Sequence, residues 1–254
     1  MKTINRNRLQ FLMQREQTKF VEQRPKSKAL FERARKSLLA GVPMNWMVKW
    51  AGAFPPFVRE AQGAHFFDVD GHRYTDFCLG DTGAMTGHSP FATVQAVEEQ
   101  ARRGITTMLP GEDSILVAEE LQKRFHLPFW QFALTATDAN RFSIRLARQI
   151  TARPKILVFN WCYHGTVDET FITLESDGTS GPRRGNIGPP VNPAETTRVV
   201  EFNDVDALER ALAHGDVACV LAEPAMTNVG IVHPQPGYHH TLRELTRKHG
   251  TLLI

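Results

Sequence analysis

From about residue 131 to residue 254 the sequence alternates short apolar runs with amphipathic segments, and this rhythm restricts the fold more than any other feature. The apolar runs indicate strands, and the segments between them have helical spacing. Strands that alternate with helices are typical of a mostly parallel sheet flanked by helices. In such a sheet ligands bind at the carboxyl ends of the strands. The sequence therefore predicts an α/β fold whose functional residues follow the strands.

The predicted elements of this region follow one another in a regular order. We expect strands at 131–134, 155–160 and 198–202, one that ends on Glu223, and one at 251–254; we expect helices at 138–151, 204–213 and 238–249, and a loop with a helix at 161–171. Asp204 is the expected cap of the helix that follows it. Residues 176–196 are rich in Gly, Pro, Ser and Thr and are expected to form a long surface loop.

The first 130 residues have a different pattern. Helices are expected at 5–24, 28–39, 90–103 and 113–125, and Asp70-Gly71 between two alternating segments predicts a β-hairpin over 64–78. We expect a helical arm at 1–40, a hairpin-bearing small-domain segment with a connector at 41–90, and an incomplete large domain at 91–254.

Residues 42–57 form an apolar, irregular segment that holds Trp46 and Lys49. Two interpretations stay open. The segment is either a packed connector or one wall of a substrate pocket.

Positive charge is concentrated at the start of the chain. Residues 1–36 contain 11 Lys/Arg against 3 Asp/Glu, whereas the remaining residues contain 19 against 24. We expect no nucleic-acid partner, because no aromatic or motif support accompanies the basic segment. We expect a helix in this basic segment that is either solvated or in contact with a partner. The alternative is an organellar transit peptide, but such peptides have few acidic residues, and the segment contains Glu16 and Glu22.

The sequence also indicates the compartment. No apolar run approaches the length of a membrane span, so we expect no membrane partner. Three widely spaced cysteines, Cys78, Cys162 and Cys219, do not suggest a disulfide framework. Both observations favour the cytoplasm.

The first candidate site is the segment from Leu134 to Asn140, where a predicted strand gives way to a helix. The first amides of a helix are unpaired and attract anions, and Thr135 and Thr137 could add hydroxyl donors. The segment therefore suits a phosphate. The alternative is an ordinary helix start capped by Thr137.

Two further candidates follow strands. Tyr163 and His164 come after the strand that ends at residue 160, and an aromatic ring there can stack on a planar cofactor. Glu223 ends another strand, and Asn228 follows it by five residues. A metal site at Cys162 and His164 is not favoured, because no second ligand pair has suitable spacing. The alternatives are a core tyrosine with a bonded histidine, and a loop anchor.

These motifs, in this order, resemble the class III (subgroup II) pyridoxal-phosphate aminotransferases, a family that includes glutamate-1-semialdehyde aminomutase-like enzymes. The resemblance covers about residues 28–254. It is carried by Leu30–Ala34, Asp68–Asp76, Gly87–Pro90, Thr135–Ala139, Tyr163–Gly165, and Glu223-Pro224 with Asn228.

The resemblance implies a fold-type I large domain, a pyridoxal 5'-phosphate (PLP) cofactor, amine or amino acid and carbonyl substrates, and a homodimer. It implies that the turn at Thr135, Ala136 and Thr137 holds the cofactor phosphate. It implies that Tyr163 stacks on the ring, that His164 lies in the same pocket, and that Glu223 and Asn228 lie near the ring oxygen and the substrate.

The sequence departs from the family at three points. Ala136 replaces a glycine, which would strain the turn if that position needs a positive φ. Trp46 and Lys49 occupy the region where some relatives have an arginine, so acid recognition is not assured. The Schiff-base lysine and the aspartate that pairs with the ring nitrogen are expected beyond Ile254. We therefore expect this chain to be a truncated piece of an aminotransferase with little transaminase activity.

Three functions remain open on this basis. The first is amino-group transfer between two substrates. The second is the aminomutase reaction, in which both halves of the transfer occur on one molecule. The third is a non-catalytic remnant that binds a phosphate ligand or a partner.

Overall fold

The computed structural model describes residues 4–189 and 191–254. The chain divides into two compact units, residues 1–111 and 112–254. The predicted boundaries at residues 40 and 90 remain predictions. Among the described residues no helix is both long enough and apolar enough to cross a membrane.

The N-terminal unit combines helices with a small antiparallel sheet. Its helices and strands are α1 (Arg6–Glu22), α2 (Pro25–Ala34), β1 (Val58–Gln62), β2 (His65–Asp68), β3 (Arg73–Thr75) and α3 (Phe91–Arg103), with 3-10 turns at Leu39–Gly41 and Asn45–Lys49. The strands pair in the order β1-β2-β3. The predicted hairpin is therefore confirmed, and its turn contains Asp70 and Gly71.

The hairpin turn is fastened to the start of α2 by one carboxylate. Asp70 accepts hydrogen bonds from the backbone N–H of Lys26 (2.7 Å) and of Ser27 (2.9 Å), and from the Ser27 hydroxyl (2.7 Å). These bonds satisfy amides that a helix leaves unpaired at its first turn. The predicted second helix accordingly begins at Pro25, and it ends earlier than expected, at Ala34.

The C-terminal unit is the predicted α/β fold. Its elements are α4 (Asp113–Phe125), α5 (Ala136–Thr151), β4 (Lys155–Phe159), β5 (Ile172–Leu174), β6 (Ser180–Pro182), α6 (Pro193–Thr196), β7 (Thr197–Val200), α7 (Val205–Ala213), β8 (Val217–Val220), α8 (Tyr238–Lys248) and β9 (Leu252–Leu253), with a 3-10 turn at Asp168–Thr170. The main sheet has the order β7-β4-β8-β9, and every pair is parallel.

The core lies around β4 and β8, whose residues are almost all fully buried. Apolar residues of α5, α7 and α8 complete it, including Ile144, Leu208 and Leu242. The Arg153 guanidinium joins the start of β8 to the end of α8 by donating to the backbone oxygens of Val217 (3.1 Å) and His249 (2.8 Å). Asp204 caps α7 through the backbone N–H of Ala207 (2.8 Å), as predicted.

Three predictions for this unit were wrong. Residues 131–134 form no strand, and Phe132 and Leu134 are exposed; no strand among the described residues pairs with this segment. The helix expected within 161–171 is only a short 3-10 turn, since Trp161 and Gly165 have positive φ values of 64° and 76°. The loop expected at 176–196 contains β6, which pairs with β5, and the four-residue α6.

Candidate functional site

The first residues of α5 have backbone N–H groups that donate to no acceptor among the described residues. Ala136 is the first helical residue, and its φ is not positive, so alanine in place of glycine adds no strain there. The backbone N–H groups of Ala136 and Thr137 have no acceptor among the residues that the structure describes. Free amides at a helix N-terminus carry partial positive charge. This end of α5 can therefore receive an anion.

The two threonines of this segment have different tasks. Thr135 caps the helix: its hydroxyl accepts from the Asp138 backbone N–H (3.1 Å) and donates to the Asp138 carboxylate (2.8 Å). The alternative in which Thr137 caps the helix does not hold. Thr137 Oγ1 accepts from the backbone N–H of Thr166 (3.0 Å), which leaves its own hydroxyl hydrogen free to donate.

The loop after β4 lies directly against the start of α5. Asn140 Nδ2 donates to the backbone oxygen of His164 (3.1 Å), which adds a second contact to the one between Thr166 and Thr137. Gly165 has a φ of 76°, and a methyl group built at its Cα would lie 3.1 Å from Thr137 Cα. Only glycine suits this position, because it satisfies both the backbone conformation and the close approach.

The same loop also contacts the loop after β8. Glu223 Oε1 accepts from the backbone N–H of Tyr163 (3.4 Å), and Oε2 accepts from the backbone N–H (3.1 Å) and hydroxyl (2.8 Å) of Thr227. Asn228 Nδ2 donates to the backbone oxygen of Trp161 (3.3 Å). We call the group of Thr137, Tyr163 and Glu223 the strand-end cluster.

Burial distinguishes the three neighbouring residues of the β4 loop. Cys162 is buried, and burial raises the pKa of its thiol to about 12. His164 is also buried; burial lowers its pKa, and its Nε2 atom has no partner among the described residues. The Tyr163 side chain, in contrast, is 52% exposed and leaves its ring free to contact a ligand.

The structure brings together all the predicted site residues of the C-terminal unit: Thr135, Ala136, Thr137, Tyr163, His164, Glu223 and Asn228. Trp46 and Lys49 belong to the N-terminal unit, where both are exposed on the Asn45–Lys49 turn and the Trp46 indole donates to Met44 Sδ (3.2 Å). Phe54 of the same segment is buried, so part of it is a packed connector.

Sequence reasoning missed the residues that join the loops. Asn140, Thr166 and Thr227 form these contacts. Asn140 lay in the first candidate segment without an assigned role, and no motif marks Thr166 or Thr227. Only Asn140 had a usable signal, because it lies one helical turn after Ala136 on the same helix.

The strand-end cluster is an open surface. A cavity of about 410 Å³ lies elsewhere, near the first residue of β4, Lys155, and near Arg198 and Arg210. Parallel strands begin at the edge opposite to the one where they end. This cavity is therefore remote from the cluster and is not part of the candidate site.

We predict that Gly165→Ala lowers the free energy of unfolding of the C-terminal unit, because the added methyl group meets Thr137. Gly178→Ala is the matched control, because Gly178 has a φ of 81° and open space around it. The control should cost about 1 kcal/mol from backbone strain. Gly165→Ala should cost roughly 1–3 kcal/mol more, because the added methyl group overlaps Thr137. Chemical denaturation measures both; equal losses would show that the close approach is unimportant.

The buried His164 predicts a pH dependence of stability. Its pKa in the folded chain lies below the ordinary value of 6.5, so the unfolded chain binds its proton more readily. The free energy of unfolding should therefore fall as the pH falls below about 6.5. His164→Gln should make this fall less steep, whereas His240→Gln, at an exposed position, should not. Parallel curves for all three proteins would contradict the prediction.

Comparison with known proteins identifies the family that the sequence motifs resemble. The family model for class-III aminotransferases matches residues 47–254. A glutamate-1-semialdehyde 2,1-aminomutase from Methanocaldococcus jannaschii is 38% identical over 235 residues, which cover 90% of this chain and 54% of that protein.

Solved structures agree with the family match. A glutamate-1-semialdehyde aminomutase from Pseudomonas aeruginosa PAO1 superposes with a TM-score of 0.94 and 51% identity, covering 98% of this chain and 55% of the other. A single-residue variant of that enzyme was solved in complex with PMP. An omega-transaminase from Sphaerobacter thermophilus has a TM-score of 0.82 and 31% identity, covering 89% of this chain and 53% of the other.

This chain spans about half the length of the relatives that it matches. Within that span the α/β sheet and its helices have the arrangement of these enzymes. The family model covers most of the chain, and several relatives exceed 30% identity over nine-tenths of it. The chain belongs to the class-III aminotransferase family.

Proposed function

We propose that this chain carries the cofactor-binding part of a PLP-dependent enzyme that transfers an amino group between an amine or amino acid and a carbonyl compound. The supporting observation is the strand-end cluster: free helix amides, a free threonine hydroxyl, an exposed tyrosine ring and a carboxylate occur together. Each of these groups matches a different part of PLP.

The donors at the start of α5 suit the phosphate. The N–H groups of Ala136 and Thr137 and the Thr137 hydroxyl can each donate to a phosphate oxygen. Thr135 contributes through the cap, since its own hydroxyl hydrogen is already given to Asp138. The phosphate is thus proposed to bind to two residues, with the third supporting the helix start.

The loops after β4 and β8 suit the ring. Tyr163 is proposed to stack on one face of the pyridine ring, with His164 beneath it. Thr227 orients the Glu223 carboxylate through two hydrogen bonds and leaves it beside Tyr163. We propose that Glu223 lies near the ring oxygen and the substrate. Asn228 holds the Trp161 backbone, and thereby supports the loop that carries Tyr163.

Bound PLP supplies an electron-accepting ring that stabilises negative charge next to the substrate nitrogen. The residues of this chain bind and orient that ring. Lys155 donates to the Ala194 backbone oxygen at the opposite edge of the sheet, and Lys248 contacts Glu209. Neither of these two lysines contacts the cluster. On the family resemblance we propose that the Schiff-base lysine and the aspartate for the ring nitrogen come from outside these 254 residues.

Several finer assignments are part of the same proposal. Trp46 and Lys49 are proposed to contribute to the substrate pocket; both are exposed and available for contact. We propose a homodimer, supported by exposed apolar side chains such as Phe129, Leu134 and Ile150. We propose the cytoplasm as the location, which the three free cysteines support.

The cofactor assignment predicts how Thr137 variants bind PLP. Thr137→Val removes the hydroxyl at nearly constant volume, and with it both the free hydrogen and the acceptor of the Thr166 N–H. PLP binding should weaken at least about tenfold, the effect of one hydrogen bond to a charged group. Thr137→Ser keeps the hydroxyl and should bind like the wild type. Equilibrium dialysis measures the affinities, and borohydride treatment should leave no stoichiometric covalent cofactor on this chain.

Two results would count against the proposal. If the wild type does not bind PLP, the non-catalytic alternative becomes the better account. If borohydride fixes one cofactor per chain, a lysine of this chain forms the Schiff base, and our placement of that lysine outside the chain is wrong.

The second candidate function is the glutamate-1-semialdehyde 2,1-aminomutase reaction. It is favoured by the relatives, because the proteins with 38% and 51% identity both bear that name. We predict that the longest natural reading frame containing this chain moves the amino group of glutamate-1-semialdehyde to the neighbouring carbon without a second substrate. Chromatography of the products checks this. If turnover requires an added amino acceptor or donor, the two-substrate transfer is correct.

A further inference from the structure

The backbone turn that places Tyr163 is an unfavourable one. Trp161, two residues before Tyr163, has a φ of 64°, and a large residue in this left-handed conformation is strained. Such a conformation persists only where surrounding contacts hold it. The contacts on Trp161 and on its neighbour Cys162 therefore decide where the Tyr163 ring lies.

Arg183 makes two of these contacts. Its Nη2 atom donates to the Cys162 backbone oxygen (2.6 Å), and its guanidinium lies 5.7 Å from the centre of the Trp161 ring. A planar guanidinium can donate in its plane and stack through its face at the same time. One side chain thus holds both the Trp161 ring and the Cys162 carbonyl of the strained turn.

The backbone around Arg183 is itself held firmly. Its N–H donates to the Phe171 backbone oxygen (2.9 Å), and its own oxygen accepts from the backbone N–H of Asn186 (2.9 Å). Asn186 Nδ2 also donates to the Phe171 oxygen (3.3 Å). Arg183 directly follows β6, so the β5–β6 hairpin provides a fixed base for the side chain.

One of the hydrogen-bond donors of Arg183 has no acceptor in the part of the chain that the structure describes. Its Nε atom is buried and has no partner among the described residues. A buried N–H without an acceptor costs free energy, so simple stabilisation does not account for this placement. What the placement does achieve is a further contact with the β4 loop, in addition to those that Glu223 and Asn228 make from the β8 loop.

We propose that Arg183 is a positioning residue that sets the Tyr163 ring for the cofactor by holding the Trp161–Cys162 turn. This inference rests on the proposed function for its purpose, but the turn can be measured without any cofactor. The planar guanidinium, which donates through Nη2 and faces the Trp161 ring at the same time, and not its charge alone, performs the task. Nothing in the chain's motifs marks this position.

The test compares Arg183→Gln and Arg183→Lys with Arg184→Gln. Arg184 is the neighbouring arginine, is exposed and makes no contact among those described, so it is a matched control. Amide hydrogen exchange of the chain without cofactor should become faster at residues 161–166 in both Arg183 variants. Exchange in α8 should be unchanged, and Arg184→Gln should match the wild type at both places.

The second readout is PLP affinity by equilibrium dialysis. Both Arg183 variants should bind about tenfold more weakly, the effect of losing a hydrogen bond from a charged donor, and Arg184→Gln should not.

Unchanged exchange at residues 161–166 overturns the proposal even if PLP binds. If Arg183→Lys behaves like the wild type, a positive charge suffices, and the proposed need for the planar guanidinium is overturned. If the wild type fails to bind PLP, the proposed function fails while the exchange experiment still decides the role of Arg183. Should Arg183→Gln not fold, Arg183→Lys carries the comparison.

Discussion

The loop after β4 is held between the start of α5 and the loop after β8, and the rest of the site depends on this contact. On one side Gly165 lies close to Thr137, and the backbone N–H of Thr166 donates to the Thr137 hydroxyl. On the other side the Glu223 carboxylate accepts from the backbone N–H of Tyr163. Parallel strands bring their carboxyl ends to one edge of a sheet, but they do not fix the loops there. These few contacts join the start of α5 and the ends of two strands into the strand-end cluster.

The parts of this molecule that local chemistry determines were predictable from the sequence. Asp70-Gly71 favours a hairpin turn whatever surrounds it, and Asp204 can cap the next helix without help from distant residues. The positions of Tyr163 and Glu223 near strand ends, and of Thr137 at a helix start, followed from the α/β alternation together with the family resemblance, although the strand predicted before Thr137 does not form. Their chemical roles remain proposals, because the geometry supports them but does not test them.

The parts that depend on distant partners were not predictable. Residues 131–134 have the composition of a strand, yet a strand needs a neighbour, and no described strand edge is paired with them. Residues 161–171 read as a helix because their apolar spacing is suitable, but Trp161 and Gly165 adopt left-handed conformations that only contacts across the fold can impose. Likewise, two similar threonines stand two residues apart, and only the structure shows that Thr135 caps the helix while Thr137 keeps a free hydroxyl hydrogen.

The balance of donors and acceptors in the cluster supports an anion as its ligand. The carbonyl oxygens of Trp161, Cys162 and His164 all accept hydrogen bonds from side chains of this chain. The N–H groups of Ala136 and Thr137 and the hydroxyl hydrogen of Thr137 have no acceptor among the described residues. A site with satisfied acceptors and unsatisfied donors is complementary to a group that only accepts, and a phosphate is such a group. Asp138, the nearest carboxylate on α5, is engaged by the Thr135 hydroxyl, so its charge is partly offset beside the free amides. We therefore propose that Thr135 contributes to anion binding through Asp138, although it has no hydrogen of its own to give.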